Sequence, residues 1–445
     1  MNDTMNSIEV KSVPIVILIC IATGCIQQED LLRPPIPEFT DQCVTPLHIC
    51  SSFIVKSDGI SMASNASIIA VLHTTEGLYL FDCRGDVIWS SDSFGGLFPI
   101  IAEDGNYVIT EIRRYTKEDP FFLVKLDSDG NIIWKREIGL IGVDGLAMTP
   151  DASFIVTGCV DQDKQGHVML FDRDGNKLWD HQIDGRVETV AVSKSGHVVA
   201  GPRDRHIYLY GRDGEEILTY YAGNYSDSQD TAIAPDETYF LFGSKHKYLS
   251  CYTLEGDFLW REEVGPLCNV RISADGEYIA VGTSNSMLFL FDKNGNKLWG
   301  KKVTDAFYIE EVSISAHGEY VAANTQRGIF PPSLYLDVYS KEGKLLWRYE
   351  GSHSFMAIAM SDDGHYIAAG SSAFLLLFDN FQAIEEYKSS ECVQSDTAHG
   401  SESEQKFPLL GQFNLISFLT IVLIIILAGI LIIVYLSRRK MEKKA

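Results

Sequence analysis

Positive charge is scarce in this chain: 37 Lys and Arg face 60 Asp and Glu, for a formal net charge of -23. That balance excludes nucleic acid as a partner, because a phosphate backbone is met by a basic face. Metal-binding spacing is also missing. Nine Cys and eleven His occur, yet no CxxC pair and no His-Cys cluster of zinc type can be drawn from them. Long apolar runs are confined to the two ends, so the middle of the chain reads as a water-exposed body. At 46% hydrophobic and 22% charged residues that middle is globular rather than disordered.

The longer run is Leu415 to Leu436, 22 residues without a charge. As a helix it is roughly 33 Å long, enough for a hydrocarbon core of about 30 Å. Arg438, Arg439, Lys440, Lys443 and Lys444 follow, and the positive-inside rule places such a tail in the cytoplasm. The shorter run, Val13 to Thr23 behind Lys11, is too short to span and fits the core of a secretory signal. Ala22-Thr23-Gly24-Cys25 resembles a lipobox, which makes Cys25 a lipidation candidate; an uncleaved anchor is the alternative. Either way the expected localisation is the cell membrane, single-pass, with the body outside and the C-terminus in the cytoplasm. Disulfides are permitted there, although sequence alone leaves their connectivity open.

Tryptophan is rare too, and its placement is the most informative feature. Phe81-Asp82-Cys83-Arg84-Gly85-Asp86-Val87-Ile88-Trp89 recurs as Leu126-Asp127 through Gly130 to Trp134, as Phe171-Asp172 through Gly175 to Trp179, and as Phe291-Asp292 through Gly295 to Trp299. Looser copies run from Tyr210 to Leu218, Tyr252 to Trp260 and Tyr339 to Trp347. All six Trp (Trp89, Trp134, Trp179, Trp260, Trp299 and Trp347) hold one position of this phrase. The phrase returns at intervals of 39 to 48 residues, the period of a four-stranded propeller blade. Each copy is preceded by a turn and a strand of small residues, as in Ser273-Ala274-Asp275-Gly276-Glu277-Tyr278-Ile279-Ala280. In the sixth unit this predicts strands over Asn269–Ser273, Tyr278–Gly282, Met287–Phe291 and Lys297–Lys302.

The expected fold class is therefore all-β: a β-propeller of eight four-stranded blades, with seven as the alternative count, plus one C-terminal transmembrane helix. The expected organisation is a signal over 1–25, a proline-bearing tether over 26–49, the propeller over 50–388, a polar stalk over 389–414, the span over 415–436 and a basic tail over 437–445. The last outer strand has two candidates: Ala383 to Lys388, or the segment from His48 to Val55, which closes the ring from the N-terminal side.

The phrase resembles the tryptophan-docking repeat of PQQ-like, quinoprotein-type β-propellers, and the turn before it is similar to WD40-like repeats. The resemblance covers roughly residues 50 to 388. It implies the fold and leaves function open, since this architecture hosts dehydrogenases, assembly lipoproteins and scaffolds alike. The quinoprotein alcohol dehydrogenases carry adjacent cysteines over the quinone, and no two Cys are adjacent here. The expectation is a non-catalytic protein- or ligand-binding scaffold with no cofactor; the alternative is an oxidoreductase using PQQ with calcium.

The Asp-x-Asp/Asn-Gly segments resemble the start of a calcium loop, but the position where that loop needs Glu is Ile183 when counted from Asp172. The spacing is that of a hairpin turn, so no metal is expected. Loops joining the second and third strands of each unit are longer and carry bases: Arg113, Arg114, Arg203, Arg205, Lys245, Lys247 and Arg327. With Tyr115 and Phe330 as aromatic anchors, they predict a face for an anionic protein or glycan partner. The competing reading is a solvated rim, because Asp161, Asp163 and Asp204 are interleaved with the bases.

Overall fold

The computed structural model describes residues 48–50 and 57–389, apart from 74–76, 96–98, 113–120, 139–141, 162, 222–227, 245–246, 304–307, 328–332, 352–354 and 372–374. The expected signal, stalk, membrane span and tail, most of the tether, and Cys25 lie outside these residues. Among the described residues no helix is long and apolar enough to cross a membrane.

Eight four-stranded antiparallel sheets form eight blades. We letter their strands A to D in chain order. Blades 1 to 7 occupy 57–91, 100–137, 142–183, 187–221, 228–265, 267–302 and 308–351, and blade 8 begins at 355. Consecutive A strands contact one another around the ring, so they line its axis and the D strands form the rim. In blade 6 the strands are Leu267–Ile272, Tyr278–Thr283, Met287–Asp292 and Lys297–Lys302. That is the expected set, with strand A starting two residues earlier.

The physical reason for each element is local. Strand C is apolar on both faces, as in Met287–Asp292 with Leu288 to Phe291 buried, because a neighbouring blade covers each side. Strand B is rich in Ala and Gly because neighbours come closest there. A Cβ on Gly158 would lie 2.5 Å from Val187 of the next blade, and one on Gly282 would lie 2.8 Å from Ile309. The Ser of the A–B turn ties it shut: Ser273 Oγ accepts the Tyr278 amide at 2.9 Å and donates to Asp275 at 2.6 Å. In the C–D turn, Asp172 Oδ1 accepts the amides of Asp174 (2.9 Å) and Asn176 (2.8 Å), and Oδ2 accepts the Asn176 side chain. This first carboxylate is therefore satisfied by its own hairpin.

Ring closure comes from the N-terminal side. His48–Cys50 pairs antiparallel with strand 8C, Leu375–Asp379, in the register His48 to Leu377 and Cys50 to Leu375. The other candidate segment is a helix, Asn380–Ser389. Asp379 caps it by accepting the amides of Phe381 and Gln382, both at 3.0 Å. Ala383 and Tyr387, one turn apart, are buried on its inner side, a helical spacing that a strand cannot present to one face. The alternation expected of a strand was absent from this segment.

Candidate functional site: the axial channel and its loop face

Seven of the A strands carry a register break near their start, for example between Ser228 and Asp230 and between Ile309 and Glu311. A bulge re-aims the residue that follows it. In blades 4 to 7 that residue is polar: Thr189, Asp230, Asn269 and Glu311. Each reaches the next blade. Thr189 Oγ1 pairs with Thr231 Oγ1 at 2.9 Å, and Asp230 Oδ2 accepts the Val270 amide at 2.9 Å. Asn269 Oδ1 accepts Val312 N at 3.2 Å, and Glu311 Oε2 accepts Ile358 N at 2.8 Å. An axial strand edge has amides without ladder partners, and this relay satisfies them. In blades 8, 1 and 3 the same place is held by Ala357, Gly59 and Gly145.

Arg271 sits inside the polar half. Its guanidinium bonds Asp230 at 2.9 Å and Glu311 at 3.0 Å. Burial pushes both carboxyls above their ordinary range, and the arginine charge opposes that shift. Glu310, the bulged residue beside them, is pushed up to about 7 by burial and by the Glu311 charge. These groups line a channel cavity of about 470 Å³, whose other wall is Ile60, Ile100, Leu146 and Ala357. Glu188 completes the acidic side; its Oε1 accepts Arg203 Nε at 2.5 Å, while its buried Oε2 has no partner among the described residues. The channel thus has an acidic wall bridged by one arginine and an apolar wall opposite.

Ser61, Thr189 and Thr231 line the cavity with Glu310, and no His, Cys or Lys is among its lining residues. The Asp230 and Glu311 carboxylates are held by Arg271 and by backbone amides, and among the described residues no group of three or more His, Cys, Asp or Glu is placed to hold a metal ion. Among the described residues Cys83 and Cys251 are free thiols in different blades. This residue set does not fit a calcium-bound quinone under a cysteine pair.

The predicted basic residues divide. Arg203 is engaged with Glu188. Arg205 is exposed at a turn with φ +76°. Lys247, at φ +112°, makes an exposed ion pair with Glu263 at 3.4 Å. Arg327 ends strand 7B opposite Ser333. Its side chain, and Arg113, Arg114 and Lys245, lie outside the described residues, as do Tyr115 and Phe330. Five of the six Trp share one geometry: the indole N–H bonds the turn that follows in the next blade. Trp89 donates to Ser128 O, Trp134 to Arg173 O, Trp179 to Arg212 O, Trp260 to Lys293 O and Trp299 to Lys341 O, at 2.8 to 2.9 Å. Trp347, with no such turn to meet, donates to Asn380 Oδ1 at 2.6 Å.

Sequence reasoning missed the relay of Thr189, Asp230, Asn269 and Glu311, together with Arg271. The available signal was a polar residue recurring at the same place in strands that are otherwise apolar.

No protein-family model matches the chain, and no curated protein matches it. Solved structures do. The chain is similar to the C-terminal WD40 domain of Sif2 (12% identity, 75% of this chain and 97% of that one, TM-score 0.60). It is also similar to Chaetomium thermophilum Sqt1 bound to the N-terminus of the ribosomal protein L10 (12%, 76% and 100%, 0.61). A third is the computationally designed Ika8 protein (14%, 76% and 100%, 0.59). At these identities the likeness is one of fold, and that fold is a WD40-like β-propeller.

Proposed function

We infer that this chain is a non-catalytic protein-binding scaffold, held at a membrane by residues 415–436, that presents the B–C and D–A loop face to its partner. The observation that carries the reading is the charge arrangement of the channel and its loops. An acidic channel wall that includes Glu310 and Glu188, the latter with Oε2 unpartnered among the described residues, lies beside the B–C turns bearing Arg203, Arg205 and Lys247. Such a face rewards a partner with complementary charges of both signs and repels one of wrong register. The solved Sqt1 structure, with a protein N-terminus bound, is a precedent for the fold's use in protein recognition.

Proximity labelling with the full chain tests this. Reversing Arg203, Arg205, Lys245 and Lys247 together to Glu should abolish enrichment of the proteins labelled by the native chain. An unchanged labelling profile overturns the loop-face reading. Incubation with PQQ and calcium should yield no stoichiometric quinone spectrum; a stoichiometric one overturns the non-catalytic reading.

A further inference from the structure

The repeat itself supplies a template for reading the seam between blades 3 and 4. On strand D, the residue after the Trp position faces a fixed partner on strand C: Lys135 opposite Val124, Arg261 opposite Ser250, and Arg348 opposite Asp337. In these three blades the position is a long cation, and each lies over an aromatic ring of its own strand C. Lys135 Nζ is 3.6 Å from the Phe122 centroid, Arg261 Cζ is 5.5 Å from Tyr248 and Arg348 Cζ is 5.3 Å from Tyr335. A ring face attracts a cation held above it, more so when water is displaced.

Blade 4 has no cation at this position, as blades 1, 3 and 6 have none (Ser90, Asp180 and Gly300), and its ring at the place of Phe122, Tyr248 and Tyr335 is His206. Thr219 stands opposite Tyr208 and turns its hydroxyl to Glu216 at 2.5 Å. The rings are more numerous here. Tyr208 and Tyr210 lie parallel with centroids 5.9 Å apart, and His181 stacks on Tyr210 at 4.6 Å. The space left open is a cavity of about 620 Å³, lined by these rings, by Gln182, and by the carboxylates of Asp184 and Glu216. No lysine or arginine lines it, and no cation among the described residues lies over Tyr208. Asp204 adds a third carboxylate, accepting the Tyr208 hydroxyl at 2.5 Å.

We propose that this seam binds the guanidinium or ammonium side chain of a protein partner, held against aromatic rings as Lys135, Arg261 and Arg348 are held in their own blades. The aromatic faces cover its aliphatic stem and its charge, while Glu216 and Asp184 supply the counter-ions. A neutral sugar would use the rings but would leave the carboxylates without a role. The proposal stands apart from the loop-face reading, because the cavity lies on the outer seam rather than on the axis.

The test is a calorimetric titration of the purified full chain with Nα-acetyl-arginine amide and with its neutral isostere, Nα-acetyl-citrulline amide. Arginine should bind saturably and at least about tenfold more tightly than citrulline. Thr219→Arg should plug the site from within, abolish binding and leave the unfolding temperature unlowered. If that variant misfolds, Asp184→Asn with Glu216→Gln should still weaken arginine binding by about tenfold or more. The four loop-face reversals should leave arginine binding unchanged, which separates the two readings. Equal affinity for citrulline, no saturation by arginine, or undiminished binding by a folded Thr219→Arg variant overturns the proposal.

Discussion

At the scale of the residue, the Trp phrase is a joint between blades. The ring lies on a glycine of the next C–D turn: a Cβ on Gly175 would sit 2.7 Å from Trp134, and one on Gly295 2.7 Å from Trp260. Both glycines also hold φ near +80°, where a side chain is strained. Gly295→Ala should therefore destabilise the fold by about 1–3 kcal/mol, measured by chemical denaturation. Trp134→Phe keeps most of the buried ring and loses the bond to Arg173 O, an expected cost of about 1 kcal/mol; Trp134→Ala should cost about 3–5 kcal/mol. If the two Trp134 variants unfold alike, the ring is not the principal contribution. Blade 4 carries Leu218 at this position, 3.4 Å from the Cβ place of Gly256, so apolar contact replaces the indole N–H bond at this joint. The Trp and Gly pattern was legible because both residue types are rare and recur at one period. The cation set was not legible, because Lys135, Arg261 and Arg348 look like ordinary surface charges until their register is known.

At the scale of the element, the ends of the propeller are the least repetitive part. Trp347 is fully buried, and Asn380 accepts its indole N–H while donating to Gly364 O at 2.7 Å. The helix thus supplies what a following C–D turn supplies elsewhere. Asn380→Ala leaves a buried donor without its acceptor, with an expected loss of about 1–3 kcal/mol in denaturation. Closure by His48–Cys50 joins the first described residues to the last strand. Deleting residues 48–50 should lower the unfolding temperature and expose strand 8C to early proteolysis, because an open edge has unpaired amides. An unchanged unfolding temperature would mean that the helix holds blade 8 unaided. The sequence offered both segments as candidates for the same strand, and only packing against Trp347 separated them.

At the scale of the whole molecule, the channel makes stability depend on pH. Glu310 has a folded pKa of about 7 against an ordinary value of 4.5. Between these values the folded state keeps a proton that the unfolded state has released, so stability falls as pH rises from about 4.5 to 7 and is level above. Glu310→Gln should flatten that part of the profile, read from denaturation midpoints at pH 5 and pH 7.5. A variant whose midpoint falls as steeply as that of the native chain would assign the dependence to other groups. The overall charge of -23 acts differently. It favours solubility and self-repulsion over any one contact.

The sequence by itself determined the strand order within a blade and the seats of the tryptophans and favoured eight blades over seven, because all three are local and repeat at one period. Which segment closes the ring and which strand residues of neighbouring blades meet along the axis were decided only by tertiary structure. Those are contacts between residues about forty positions apart or, at closure, more than three hundred, and no local propensity encodes them. The opening scarcity of positive charge takes its meaning here. Several of the described cations are seated over rings or between carboxylates.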